Sequence, residues 1–219
     1  MYQVAAFREE RIDVMHALIR AHPLAVLVTS AGGTLEANHL PLLIDPLPSP
    51  RGTLRGHVAR ANPLWRQAQE NEVLAVFQGP QAYVTPSWYP EKRVSGKVVP
   101  TWNYAVVHAR GPLIIHDDRD WLRDLVSRLT DRQEAGLPQP WAISDAPADY
   151  IERMLGAIVG IEIPVARIEG KWKVSQNKAD ADRAGVAAGL ARRNDPQAQA
   201  MAALVAESGK QGGGQQGPV

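Results

Sequence analysis

The 219-residue chain contains no cysteine. Disulfide frameworks, thiolate zinc sites, iron–sulfur clusters and cysteine nucleophiles are therefore excluded, and the composition fits a reducing compartment. Neither sign of charge is in excess: 24 Lys and Arg face 23 Asp and Glu, a net +1. That balance gives no electrostatic basis for wrapping nucleic acid or resting on an anionic membrane. No run approaches the roughly 18 apolar residues that a membrane helix needs, so no spanning segment is expected. The first residues carry Arg8, Glu9, Glu10 and Arg11 without an apolar run. No signal peptide is expected, and the expected location is the cytoplasm. G-x-G-x-x-G, Walker A, G-x-S-x-G and H-E-x-x-H motifs are missing. No His pair has a helical spacing suited to a metal, and no metal site is expected. Phenylalanine is scarce, two Phe against six Trp and five Tyr. Trp and Tyr carry a polar handle on an apolar body, which ties the bias to sites as much as to core.

What is present reads as one domain over 1–207, followed by a tail, 208–219, with the composition of disorder. Ile12, Met15 and Ile19 recur at helical spacing, predicting a helix over 8–20 that Pro23 stops. Leu24–Thr29 and Leu35–Ile44 read as strands about a Gly32-Gly33 turn. A proline loop over 45–50 and a strand over Thr53–Val58 follow. Asn62-Pro63 then signals a helix start, running to about Gln69. Val73–Phe77 and Gln81–Thr85 read as two strands around Gly79-Pro80, and 86–97 as a loop. Val98–His116 reads as extended, with a break at Gly111-Pro112. Asp117 or Asp118 caps a helix to about Thr130, and a short helix follows Pro147. Ile158–Ile168 and Trp172–Val174 read as strands joined near Gly170. The Ala-rich segment from about 179 to 207 is helical, broken near Asn194-Asp195-Pro196. Consecutive strands, rather than strict strand–helix alternation, favour an α+β fold with an antiparallel sheet or barrel.

Three regions carry candidate chemistry. The strand at 53–58 sends Arg55 and His57 to one face. Arg60 and Asn62 follow at its end, where a helix begins. Asn38 and His39 lie on the preceding strand. His, Arg and a helix N-terminus suit an anion. The plainer reading makes the arginines solvated charges and the histidines hydrogen-bonded sheet residues. Residues 80–104 hold four of the 17 prolines and five of the thirteen Trp, Tyr and Phe. That block suits a wall against a flat ring or a partner subunit, or else a packed proline-rich loop. In EGKWKVSQN at 169–177, Lys171 and Lys173 leave one strand face, with Ser175, Gln176 and Asn177 at its end. On residue types this region reads as an edge strand whose lysines resist aggregation. His16, His22, His108 and His116 are read as solvated or satisfied.

Taken together these blocks resemble the PaiB-like family of FMN-binding negative transcriptional regulators. The resemblance rests on His22-Pro23-Leu24, ANHLPLLID at 37–45, GTLRGHVARANPLW at 52–65 and FQGPQAYVTPSWYP at 77–90. VPTWNYAVVHARG at 99–111 and IVGIEIPVARIEGKWKVSQN at 158–177 complete it. It runs colinearly over about residues 1–190, and departs at Gln133, where the family pattern has His. It implies an antiparallel split β-barrel with flanking helices, similar to pyridoxamine-phosphate oxidase-like proteins, with FMN at a homodimer interface. By the same resemblance His57, Arg60 and Asn62 would hold the FMN phosphate. Thr29, Asn38 and His39 would face the ribityl chain or ring edge. Trp102 and Asn103 would cover the ring or approach from the partner subunit.

Three functions follow as alternatives: a flavin-binding regulator, an FMN-dependent oxidoreductase in which His39 or Tyr104 relays a proton, and a haem-binding split-barrel protein. Direct DNA binding predicts a basic patch and a reading helix. The +1 net charge argues against that. So does the mixture of Lys178, Arg183, Arg192 and Arg193 with Asp180, Asp182 and Asp195. Gly185 and Gly189 match a helix-turn-helix only superficially.

Overall fold

The structure is a computed structural model that describes residues 1–68 and 71–211. Its strands are β1 Arg8–Glu9, β2 Leu24–Ala31, β3 Thr34–Pro41, β4 Leu43–Asp45, β5 Thr53–Ala59, β6 Glu72–Val84, β7 Thr101–Pro112, β8 Ile114–His116, β9 Ile158–Pro164 and β10 Arg167–Lys173. Its α-helices are α1 Ile12–Ala21, α2 Leu64–Gln67, α3 Glu91–Val94, α4 Arg119–Glu134, α5 Ala148–Gly156, α6 Asp180–Ala191 and α7 Pro196–Gln211. The fold is α+β with antiparallel sheets, as the run of consecutive strands predicts. No helix among the described residues is long and apolar enough to cross a membrane.

The chain divides into two compact units. One comprises His16–Phe77 and His108–Ile168; the other comprises Met1–Met15, Gln78–Val107 and the segment from Glu169 onward.

In the His16–Phe77 unit, β2 and β3 form a hairpin from Leu24↔Pro41 to Ala31↔Thr34. Gly32 and Gly33 close it, both at positive φ (57° and 82°). A two-residue turn of that hand matches the twist of its strands, and glycine enters it without steric cost. β2 also pairs the start of β6 through Val26↔Val76. A separate sheet runs in the order β4-β5-β9-β8. Leu54 and Val58 of β5 and Val159, Ile161 and Ile163 of β9 are buried. Each such side chain contributes about 1.5–3 kcal/mol on leaving water. Asp118 caps α4 by accepting from the Trp121 N–H at 2.8 Å. Leu125 and Leu129 pack with Leu43, while Leu122 packs with Ile151 and Leu155 of α5. His116 stacks on Trp121, ring centroids 4.1 Å apart and nearly parallel. Gly160 lies under that indole, where a Cβ would strike the ring.

In the other unit, β1 pairs β10 through Arg8↔Lys171 and Glu9↔Gly170. α6 and α7 contribute Val186, Leu190, Ala198, Met201 and Val205 to a core completed by Ala82, Val84, Tyr89 and Val174. Gly189 lets α6 approach the Trp88 ring.

Several boundaries differ from the sequence reading. The helix expected over 8–20 begins at Ile12, because Arg8 and Glu9 pair as a strand. The Glu9 carboxylate accepts from the Arg11 backbone N–H and Nε, both at 2.9 Å, closing the turn ahead of the helix. β6 is one strand where two were expected around Gly79-Pro80. A residue before proline is pushed toward extended backbone and the proline φ tolerates it, so this pair continues the strand. β9 and β10 turn at Val165-Ala166, and Gly170 sits within β10. There a Cβ would lie 2.9 Å from Met15 Sδ and from the Trp172 ring, so glycine serves close packing. α7 includes residues 208–211 of the expected tail; residues 212–219 lie outside the described ones.

Candidate functional site

The sequence-selected residues fall in two places. Six lie in the His16–Phe77 unit. β5 alternates as expected: Leu54, Gly56 and Val58 are buried, while Arg55 and His57 share the other face. Arg55 donates through Nε to Glu162 at 2.7 Å and also pairs with Asp45, which Arg128 engages as well. Burial pushes the Asp45 carboxyl up, but the hydrogen bonds and charges of Arg128 and Arg55 together outweigh it and hold its pKa below the ordinary value.

Arg60 is similarly engaged. Its Nε donates to the Gly156 carbonyl at 2.8 Å and one terminal nitrogen to the Ile158 carbonyl at 3.0 Å. Both terminal nitrogens also reach the Asp117 carboxylate. Those bonds hold the Asp117 pKa below its usual range. The expectation that Arg60 takes a phosphate therefore meets a guanidinium that already has a bidentate carboxylate.

His57 is different. Its Nδ1 is buried without a hydrogen-bond partner among the described residues. Burial pushes its pKa down, so the ring is neutral at neutral pH. It borders a largely apolar cleft of about 330 Å³, with Trp141, Tyr150 and Met154 at the rim. Asn62 and Asn38 meet directly, Nδ2 to Oδ1 at 2.8 Å, while Asn62 Oδ1 accepts from the Leu64 N–H at 2.9 Å and starts α2. The β2–β3 register pairs Leu27 with Asn38, Thr29 with Glu36 and Val26 with His39. Strand alternation then puts Thr29 and Asn38 on one face and His39 on the other. Thr29 is buried and His39 exposed.

Trp102 and Asn103 lie in the other unit, adjacent on β7 and so on opposite faces. Trp102 is half exposed; its Nε1 donates to Gln81 Oε1 at 3.1 Å, and its ring meets Tyr83 edge to face. Asn103 is buried and donates to Ser175 Oγ at 2.9 Å. It lines a small pocket of about 120 Å³ with Lys173 and Lys178. The sequence reading placed Lys173 on an aggregation-resistant edge. That reading noted Ser175, Gln176 and Asn177 at the strand end but left out Lys178, the second lysine five residues after the first; β10 is not an edge, because β1 pairs with it.

With this geometry established, comparisons fix the class. The fold is similar to that of the flavocytochrome Anf3 from Azotobacter vinelandii (TM-score 0.59, 13% identity, 78% of this chain and 72% of that one). It is also similar to an FAD and haem binding protein from Mycobacterium smegmatis (TM-score 0.57, 16% identity, 80% and 78%). The α+β split-barrel class implied by the sequence blocks is the one observed. Residues 1–167 match the family described as "Putative FMN-binding domain". A Bacillus subtilis relative, protease synthase and sporulation protein PAI 2, is 31% identical over 94% of this chain and 96% of its own. An uncharacterized protein of Emericella nidulans is 35% identical over 96% and 98%. The chain belongs to this FMN-binding, PaiB-like family, and its cofactor is a flavin.

The residues fit that group. A flavin mononucleotide needs donors for its phosphate and a flat apolar wall with polar edges for its ring. In the His16–Phe77 unit, Trp141 and Tyr150 wall a cleft beside His57, whose Nδ1 has no hydrogen-bond partner among the described residues; in the other unit, taken by itself, Lys173 and Lys178 line a pocket with Asn103, whose Oδ1 likewise has none.

Proposed function

We propose that this protein is an FMN-binding negative regulator of transcription that works as a homodimer in the cytoplasm. The observation that carries the flavin reading is a coincidence of two facts. The family match spans 1–167, and within it His57 and Asn103 keep buried polar atoms unpartnered. Unpaired buried polar groups are costly, and a ligand that supplies their partners relieves the cost. The Bacillus relative's name, protease synthase and sporulation protein PAI 2, ties that protein to sporulation and supports the regulatory part.

The proposed contact set is Thr29, Asn38, His39, His57, Asn62, Trp102 and Asn103; Arg60, which the sequence blocks assign to the phosphate, is proposed to support the site without touching the flavin. Thr29 and Asn38 share a face and suit the ribityl hydroxyls. Neutral His57 offers a nitrogen to a ring edge, and Trp102 offers an exposed indole as a cover supplied across the dimer. Arg60 serves by tying the end of β5 to Asp117. Bound FMN would supply a redox-active ring. The near-zero net charge favours regulation through flavin occupancy or a partner protein over a broad grip on DNA.

An FMN titration followed by absorbance and thermal shift tests the reading, with light scattering for the dimer. Stoichiometric binding with stabilisation is expected. Protein that stays colourless and shows no shift in excess FMN would refute it. A salt series of promoter mobility shifts addresses the DNA. Retardation that weakens steeply with salt would replace indirect regulation by direct binding.

A further inference from the structure

The strongest further feature centres on the end of β10, past the matched segment 1–167, and draws Tyr89, Thr101 and Asn103 from within it. After Lys173 the chain folds into a tight turn. Lys178 N–H donates to the Ser175 carbonyl at 3.0 Å. Gln176 clamps the turn, accepting from Val174 N–H at 2.8 Å and donating to the Trp172 carbonyl at 2.5 Å. Ser175 takes a left-handed backbone, φ 65°. That conformation is unfavourable for a residue with a Cβ, and when held by its surroundings it marks functional sites.

The turn completes the 120 Å³ pocket bordered by Tyr89, Thr101, Asn103, Lys173, Ser175 and Lys178. Lys173 Nζ donates to Thr101 Oγ1 at 2.5 Å, and Lys178 Nζ sits 5.3 Å from the Tyr89 ring centre. Neither lysine is ion-paired with a carboxylate among the described residues, in contrast to Arg55, Arg60 and Arg128. Two side chains on the pocket wall carry atoms with no partner there. Asn103 is 1% exposed with a free Oδ1, and Tyr89 is 2% exposed with a free hydroxyl. The Asn103 amide and the Ser175 hydroxyl can pair in either sense, so the amide can turn its NH₂ to a ligand. Burial, reinforced by Asp182, raises the Tyr89 pKa and keeps the phenol a donor. Two ammonium groups, three hydroxyls and an amide are the donor set of a tetrahedral oxyanion. The volume is about 120 Å³, well above the roughly 10–15 Å³ of cavity that a single water needs. It admits a phosphoryl group and is too small for a flavin ring.

We propose that this pocket is a phosphate-monoester site, and, resting on the flavin reading above, that it holds the phosphate of bound FMN. Lys173 and Lys178 neutralise the charge, while Thr101, Ser175, Tyr89 and Asn103 direct hydrogen bonds to the oxygens.

The test titrates FMN and riboflavin, which differ by that phosphate, into the full chain and its Lys173→Gln, Lys178→Gln and Arg60→Gln variants. Native protein is expected to prefer FMN by at least tenfold. Each lysine variant is expected to lose about tenfold or more in FMN affinity, the loss of a charged hydrogen bond, while its riboflavin affinity stays within about twofold. Arg60→Gln is expected to keep the ratio. A ratio retained in both lysine variants, or lost only in Arg60→Gln, overturns the assignment. Lys178 lies in the turn after the strand, so its variant preserves the test if Lys173→Gln does not fold. If native protein binds neither flavin, the functional reading fails and inorganic phosphate becomes the probe. Stabilisation over chloride at equal ionic strength that both lysine variants lose upholds the phosphate site; equal stabilisation in all three proteins overturns it.

Discussion

Two strand ends in this protein carry the same kinds of residue and come to opposite states. β5 carries Arg55 and His57 at alternate positions and runs on to Arg60 and Asn62. β10 carries Lys171 and Lys173 and runs on to Ser175, Asn177 and Lys178. At the first, carboxylates of the same unit engage both arginines: Glu162 and Asp45 take Arg55, and Asp117 takes Arg60. At the second, Lys173 meets a hydroxyl and Lys178 an aromatic face. A planar guanidinium forks onto a carboxylate and stays there, whereas an ammonium is a point charge that a ligand can recruit. The difference separates a cation that holds a fold together from one that awaits an anion, although their sequences look alike.

Breaking the first cluster is expected to give the largest effect. Arg55→Met leaves Glu162 and part of Asp45 uncompensated; at one-fifth or less exposure of these side chains, the cost is about 2–3 kcal/mol. Urea unfolding measures it, and a change under about 0.5 kcal/mol, the range of ordinary surface substitutions, would show that the network adds nothing. Next comes Gly160→Ala, which pushes a methyl into the Trp121 ring stacked on His116. Overpacking of this kind costs about 1–3 kcal/mol and should alter the near-ultraviolet circular dichroism of the indole; an unchanged spectrum and midpoint would contradict the packing.

A smaller effect depends on pH. Burial lowers the His57 pKa below its ordinary 6.5, so the unfolded chain takes up a proton that the folded one refuses. Stability is therefore full above about pH 6.5 and declines as pH falls toward the folded pKa, with a slope of at most about 1.4 kcal/mol per pH unit for one group. His57→Gln is expected to flatten the decline between pH 6.5 and 5.5, with half-buried His22, whose pKa burial also lowers, supplying a residual slope; equal slopes in both proteins would refute it. The smallest expected change sharpens the contrast with Arg55. Without added anion, Lys173→Gln should shift stability by no more than about 0.5 kcal/mol, since it removes no ion pair. A loss comparable to that of Arg55→Met would make Lys173 a structural cation after all.

Much of the fold is legible in the sequence because it depends on short-range patterns. The Gly32-Gly33 hairpin, the Asp118 cap and the break before Pro196 each follow from residues within a few positions. The misplacements arise where one residue type serves two uses. Gly79-Pro80 and Gly170 look like turns and instead sit inside strands, the first because extended backbone tolerates proline, the second because Met15 and Trp172 crowd the site. The candidate site was legible in part. The block at 37–62 brings Asn38 and Asn62 into contact, yet it puts His39 on the opposite face from Asn38.

The sequence by itself determined the strand and helix types, the absence of thiol chemistry and the family resemblance, since these depend on composition and local spacing. Only the tertiary structure decided which cations are committed and which are available. Arg55 meets Glu162 across 107 residues of chain and Arg60 meets Asp117 across 57. Lys173 meets Thr101, and Asn103 meets Ser175, each across 72. An ion pair forms or fails according to which side chains the folded sheets bring within about 4 Å, and no local pattern encodes that distance.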